Sequence, residues 1–158
     1  MATFSLVGSD TIKIRGRTIT NFPHGEVAKI TFAADIVTVK TGKNGNTIYA
    51  HNASGFQATM ELKVLRGGED DKVLNTDLLL YRGTPESYVV FDGELVKNIG
   101  TGTPATAGGA IGKVTSDTYV LSGGIPSKNV EVVSNVEGDV EQAICVYTFQ
   151  FATCERAV

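Results

Sequence analysis

The chain has 158 residues and a mass of 16.7 kDa, the size of one domain with room for a proper core. Hydrophobic residues at 42% and charged residues at 20% exclude a disordered chain, and 18 glycines beside few helix signals point to a turn-rich, mainly β fold. A net charge of −3 excludes a phosphate-gripping basic surface, though not a wall past which nucleic acid slides without sticking.

In chain order, Asp10–Arg15 and Arg17–Phe22 flank Gly16 as the arms of a hairpin, with Ile12 and Ile14 inward and Lys13 and Arg15 outward. Asn21 to Gly25 is turn chemistry, and Ala28–Ala34 alternates as a strand with Ile30 and Phe32 on one face. Residues 35–54 are less ordinary. Ile36, Val37 and Val39 form a short apolar arm, Thr47, Ile48 and Tyr49 a second, and Lys40 to Asn46 separates them. Its Asn44-Gly45 step, beside Lys43, favours a tight turn, so a protruding hairpin or long loop between core strands is predicted. One reading is a flexible surface loop. The other is an inter-subunit contact, because an isolated hairpin cannot bury Ile36, Val37, Val39, Ile48 and Tyr49 by itself.

Gly55–Arg82 is the stretch around which the chain is organised. Phe56, Ala58, Met60, Leu62 and Val64 alternate with Gln57, Thr59, Glu61 and Lys63, which predicts a strand with one buried face. Gly67-Gly68 breaks it, and Glu69, Asp70 and Asp71 then place negative charge at the positive end of a helix. Val73, Leu74, Leu78 and Tyr81 recur at helical spacing, and Arg82, a C′ Gly83 and Pro85 close the helix.

Ser87–Asp92 reads as a strand, and Gly93–Lys113 as mostly loop, because Gly100–Gly109 has almost nothing to pack. Val114–Ser122, Asn129–Ser134 and Glu141–Phe151 read as closing strands, the last with Cys145, Tyr147, Phe149 and Phe151 on one face and Thr148 and Gln150 on the other. The expectation is a single domain over 1–158: an antiparallel β-sandwich or barrel of about seven to nine strands with one α-helix packed on it.

The search for chemistry returns little. Gly112-Lys113 resembles the end of a phosphate loop, but Val114 stands where Ser or Thr is needed and Ala107 where the first glycine belongs. Gly100-Thr101-Gly102 does not continue into a dinucleotide fingerprint. His24 and His51 each sit beside turn residues, and Cys145 and Cys154 lack a neighbouring base, so neither a metal centre nor a thiol nucleophile is expected. The consecutive acids at 69–71 are explained by helix capping rather than metal binding. Asn52-Ala53-Ser54 matches a glycosylation sequon, but the opening MATFSLVGSD lacks a secretory pattern. No apolar run of about 20 residues predicts a membrane span. No enzyme and no cofactor are expected.

The strand GFQATMELKVLRG running into EDDKVLNTDLLLYR, the short hairpin after the N-terminus and the extended loop between early strands together resemble the tail tube (inner core) proteins of bacteriophages, in particular those of contractile tails. The resemblance covers most of the chain and lies in its organisation rather than in an invariant motif. It implies a structural homo-oligomer: hexameric rings stacked into a hollow tube, with each subunit lending strands to a barrel around the lumen and its helix outside. It further implies transient passage of double-stranded DNA, contacts with sheath, baseplate and tape-measure proteins, and a place in the virion tail after assembly in the host bacterial cytoplasm. Gln57, Thr59, Glu61, Lys63, Thr148 and Gln150 are then candidate lumen residues, their mixed polar character avoiding a grip on phosphates; a solvated outer face is the alternative. Residues 35–54 become the candidate inter-subunit loop, with Gly100–Gly109 and Met1–Ser9 secondary. A baseplate, tail-completion, type VI secretion or bacteriocin tube protein is a close alternative. A carbohydrate-binding β-sandwich fits less well, since the chain has no Trp for an aromatic platform.

Overall fold

The computed structural model describes residues 3–6, 10–104 and 108–158, so the expectations for Met1–Ser9 and Gly100–Gly109 lie partly outside the described residues. The fold is mainly antiparallel β. The strands are β1 (Phe4–Leu6), β2 (Thr11–Ile14), β3 (Arg17–Ile19), β4 (Ala28–Phe32), β5 (Val37–Thr41), β6 (Thr47–His51) and β7 (Ala58–Leu65), followed by the helix α1 (Glu69–Gly83). After it come β8 (Phe91–Pro104), β9 (Gly112–Pro126), β10 (Glu131–Val132), β11 (Ile144–Phe151) and β12 (Thr153–Ala157). The main path runs β3-β2-β8-β9-β11-β7-β4, with β1 added to β8, β12 to β9 and β10 to β11, while among the described residues β5 and β6 pair only with each other. The main sheet is open: β3 and β4 end its path.

The ladder between β7 and β11 is the most regular part. It holds eight antiparallel pairs without a shift, from Ile144↔Leu65 to Phe151↔Ala58. Ala58, Met60, Leu62 and Val64 on β7 meet Cys145, Tyr147, Phe149 and Phe151 on β11 in one core. Ile12, Ile14 and Ile19 of the first hairpin, Phe91, Leu121 and Cys154 join them from the opposite layer. Each large apolar side chain so buried stabilises the fold by about 1.5–3 kcal/mol. The Phe91 ring stands edge-on to Phe149 and Phe151 at 5.4 and 5.6 Å, so aromatic contacts tie the layers together.

Between the layers passes β9. Its earlier part pairs with β8 and β12, and its end, Ile125 and Pro126, pairs with β11. Gly123 adopts φ +69°, and a Cβ on Gly124 would stand 2.5 Å from the Phe151 ring. The turn therefore needs glycine twice, once for its dihedral and once for its closeness to the core.

Several expectations change. Gly93–Lys113 is not mostly loop: much of it belongs to the long β8–β9 hairpin, held by main-chain pairing as far as Pro104↔Gly112. Side-chain patterning missed it because strands held by main-chain pairing need no apolar alternation where they leave the core. Ser87–Val90 lies outside β8, which starts at Phe91, the Asn129–Ser134 strand shrinks to β10, and residues 140–143 form a turn of 3₁₀ helix before β11. Strand β12, which was not expected, pairs with β9, and the Arg156 guanidinium forks onto Asp117 at 2.8 and 3.1 Å across that ladder.

The helix buries Asp70, Leu74 and Leu78, an i, i+4, i+8 stripe, while Val73 is exposed. Gly83 is its last residue rather than a C′ stop, and Thr84 caps it by donating N–H and Oγ1 to the Leu80 carbonyl. The three opening acids diverge. Asp71 accepts the Gly67 N–H at 2.9 Å and the Tyr147 hydroxyl, and Glu69 pairs with Lys72 at the surface. Asp70, only 1% exposed, turns away from the helix end, which carries no side-chain cap bond from Gly68. It accepts the N–H groups of Thr20 and Asn21 at 2.8 and 3.0 Å and the Arg17 Nε at 3.1 Å, fastening α1 to the end of β3. Burial alone would raise its carboxyl, but those three donors outweigh it and hold the group below its usual range.

Replacing Asp70 with Asn removes a buried charge whose donors remain, two of them neutral backbone N–H groups and the third an Arg17 that reaches solvent, and is expected to cost about 1–3 kcal/mol in chemical denaturation. Because the folded carboxyl is depressed, its contribution is complete above the unfolded value of about 4 and is lost as pH falls below it, so the wild type loses stability there and Asp70→Asn loses less. Gly124→Ala should lower stability by about 1–3 kcal/mol through the clash with Phe151, and an unchanged unfolding midpoint would contradict the close-packed bend.

Candidate assembly surfaces

Opposite residues of an antiparallel pair share a face, so the registers define what the outer side of the β4–β7–β11 sheet presents. Lys29 lies opposite Glu61, which lies opposite Thr148. Thr31, Thr59, Gln150 and Ile125 form the next row, and Lys63, Val146 and Glu131 another. Five of the six residues singled out from sequence, Thr59, Glu61, Lys63, Thr148 and Gln150, are thus brought onto one continuous face. Gln57 precedes β7, at the end of the 3₁₀ turn Ala53–Phe56, so it sits at the margin of that face, and Phe56, expected on the buried face of the strand, belongs to that turn and is exposed.

Within the face, Thr59 donates its hydroxyl to the Gln150 side-chain oxygen at 2.8 Å. Thr148 is 4% exposed, a polar residue covered by its neighbours rather than open to solvent. The alternation could not show this, because β11 is central and its outer face is flanked on both sides. The face carries Lys29, Lys63, Glu61 and Glu131, so its charges balance within the sheet.

The second surface is the β5–β6 hairpin. Five pairs join its strands, from Val37↔His51 to Thr41↔Thr47. Its end closes through Gly42 N–H to the Asn46 carbonyl at 2.7 Å, with Gly45 at φ +82°, so Lys43 and Asn44 are at the tip. Its root is anchored: Asn52 donates N–H to the Ile36 carbonyl at 2.7 Å, and a Cβ on Gly55 would lie 3.0 Å from Ile36 Cα. Ile36, Val39, Ile48 and Tyr49 are all exposed, with Ile48 at 68%, and Val37 is half-buried. Beside the root, Phe32 and Phe56 line an open groove together with Cys154. The hairpin has no core of its own, and its exposed apolar side chains lie next to exposed aromatic rings.

The residues weighed for chemistry take structural places. Asn52 accepts the Ser54 N–H and hydroxyl through Oδ1, capping the 3₁₀ turn. His24 and His51 are exposed on separate elements. Burial pushes the Cys145 and Cys154 thiols up, away from the thiolate form. Among the described residues no three His, Cys, Asp or Glu side chains are grouped to hold a metal. No helix among them is long and apolar enough to cross a membrane.

No protein-family model and no curated protein matches the chain. Solved structures do. The chain is similar to the anti-feeding prophage tube-terminating cap, with a TM-score of 0.58 and 11% identity over 94% of this chain and 87% of that one. It is similar to a chain of the sheath/tube terminator of the PVC extracellular contractile injection system in its extended state, at TM-score 0.55 and 13% identity over 96% and 95%. A chain of the PVC sheath-tube complex gives TM-score 0.55 and 10% identity over 94% and 88%. At such identities the likeness is one of fold, and it spans nearly the whole of each chain.

If the outer β4–β7–β11 face is a surface rather than a second core, exchanging its charges is cheap. Glu61→Gln and Lys63→Gln are each expected to change stability by less than about 1 kcal/mol, whereas Met60→Ala on the same strand should cost about 2–5 kcal/mol in the same denaturation experiment.

Proposed function

We propose that this chain is a structural subunit of a contractile-type tail tube, without catalytic activity, that assembles with copies of itself into stacked, hexameric rings around a lumen through which double-stranded DNA passes. The observation that carries the reading is the self-paired β5–β6 hairpin, whose Ile36, Val39, Ile48 and Tyr49 are exposed among the described residues and which supports contact with an outside partner. The fold shared with chains of contractile injection systems supports the class of assembly. The open sheet supports ring formation, because among the described residues β3 and β4 end the sheet with edges that neighbours in a closed ring would cover.

In this reading the β4–β7–β11 outer face lines the lumen. Thr59, Glu61, Lys63 and Gln150 there offer hydrogen bonds and balanced charge, so DNA meets a wet wall with no net hold on phosphates. Sheath, baseplate and tape-measure proteins are the expected partners, and the virion tail, assembled in the bacterial cytoplasm, is the expected location. A second reading, a tube-terminating ring, is favoured by the names of two of the similar structures, a tube-terminating cap and a sheath/tube terminator. A tube subunit polymerises into filaments of uniform bore, whereas a terminator stops at a ring.

Electron microscopy of the purified protein separates these outcomes. Deleting residues 40–46 is expected to leave a folded monomer, seen by an unchanged cooperative unfolding transition, and to abolish stacking. Full-length tubes from the deleted protein would remove the hairpin from the assembly, and a persistent wild-type monomer would remove the proposal itself.

A further inference from the structure

The β5–β6 hairpin and the segment 131–141 stand at opposite ends of the β7–β11 ladder. The hairpin is rooted where β7 begins: Asn52 donates N–H to the Ile36 carbonyl, and Ala33 donates N–H to the Gln57 carbonyl at 3.0 Å. The segment lies where β7 ends. Arg66, directly after β7, donates Nη1 to the Val133 carbonyl at 3.3 Å, the Ser134 hydroxyl at 2.9 Å and the Gln142 carbonyl at 3.3 Å. Glu131 and Val132 pair with Val146 and Cys145 at the same end of β11. Eight ladder pairs separate the two places, which at ~3.3 Å per residue is about 23 Å.

The two surfaces carry opposite charge that nothing in their own chain neutralises. Residues 36–52 hold Lys40, Lys43 and His51 and no acid, and among the described residues neither lysine makes an ion pair. Lys40 lies opposite Ile48, so a cation and an exposed apolar side chain share one face of the hairpin. Residues 131–141, EVVSNVEGDVE, hold Glu131, Glu137, Asp139 and Glu141 and no Lys or Arg, and none of these acids makes an ion pair among the described residues. The ladder brings two cations to this end, Lys63 and Arg66. Arg66 is bonded to the neutral oxygens named above, and Lys63 makes no ion pair, so four acids stand against two cations. A groove of about 450 Å³ opens there, lined by the apolar Val132, Val133 and Val146 and by the charged Glu131, Glu141 and Lys63. Val136 and Val140 are exposed in the same segment.

We infer that the β5–β6 hairpin of one copy docks into the groove on the 131–141 segment of a second copy. This rests on the reading that copies of the chain assemble through the hairpin, and it names the surface that receives it. Ile48 fills the groove against Val132 and Val133, Lys40 meets Glu131 and Glu141, and Lys43 at the tip meets Glu137 and Asp139. Charge complementarity selects the occupant: the hairpin brings free cations and apolar side chains to a groove with apolar lining and an excess of acid. Hairpin against hairpin, or segment against segment, would set like charges together. Because the two patches differ and stand at opposite ends of one ladder, the contact is head-to-tail, and it closes a ring or continues from copy to copy instead of stopping at a dimer. The groove is at the Leu65 end of the outer β4–β7–β11 face, so docking leaves Thr59 and Gln150 at the other end uncovered.

Disulfide trapping in the full-length protein tests the contact, because both native cysteines are buried. The double variant Ile48→Cys with Val133→Cys, mildly oxidised under assembling conditions, is expected to give a reducible series of bands of three or more chains. Each single variant is expected to give at most a dimer band. A second readout needs no oxidation: Lys40→Glu should weaken self-association by about tenfold or more, and Lys40→Glu with Glu141→Lys should restore it. A double charge reversal that restores nothing would overturn the docking. Rings in the electron microscope without the cross-linked series would overturn it too and leave the tube reading intact. A fast-migrating monomer in place of the series would put the hairpin on its own chain's segment, again against the docking between copies. A wild type that neither assembles nor cross-links would overturn both readings.

Discussion

The uninterrupted ladder between β7 and β11 is the constraint on which the rest depends. Its eight pairs keep Ala58, Met60, Leu62 and Val64 on the same side as Cys145, Tyr147, Phe149 and Phe151, and with them the whole core. A slip of one residue would turn every apolar side chain to the other face, exposing the core and burying Glu61 and Lys63. Nothing in such a misregistered sheet would satisfy those charges. The register also produces the outer face, since Thr59, Glu61, Lys63 and Gln150 gather only because the same pairing holds along both strands.

The remaining elements serve to close this ladder off. Strand β9 crosses from the opposite layer at Gly123-Gly124 and brings its end against β11. The helix is fastened at both sides of its first turn, by Asp70 to the end of β3 and by Asp71 to the Tyr147 hydroxyl on β11. These are charge-assisted bonds in partly or wholly buried places, where they are stronger than at the surface. Outside this frame the β5–β6 hairpin and the 131–141 segment keep apolar side chains exposed.

Organisation in rings would account for features that a free monomer leaves costly. An open sheet with β3 and β4 as terminal strands invites pairing with another chain, and exposed valine, isoleucine and tyrosine invite association. In a closed assembly the same features become contacts. The balanced polar face then has a reason as well, because a channel that must pass a polyanion works best when it holds it weakly.

By itself the sequence determined the parts whose signal is local: the two-faced strand β7, the helix with its acidic start, the hairpin at Arg15-Gly16 and the protruding hairpin with its Asn44-Gly45 tip. Each follows from periodicity or from residues suited to a turn, physics that acts within a few positions. Tertiary structure alone decided the long β8–β9 ribbon, because its strands are held by main-chain hydrogen bonds that Gly100 and Thr101 make as readily as valine. It decided β12 as well, which depends on β9 for a partner and on Asp117 to hold Arg156. It separated three adjacent acids that look alike, sending Asp70 inward to donors about fifty positions away in the chain. It also covered Thr148, whose alternation marks it as outward while the central place of β11 buries it. Local pattern says which face a residue takes; only the neighbours brought by the fold say what lies on that face.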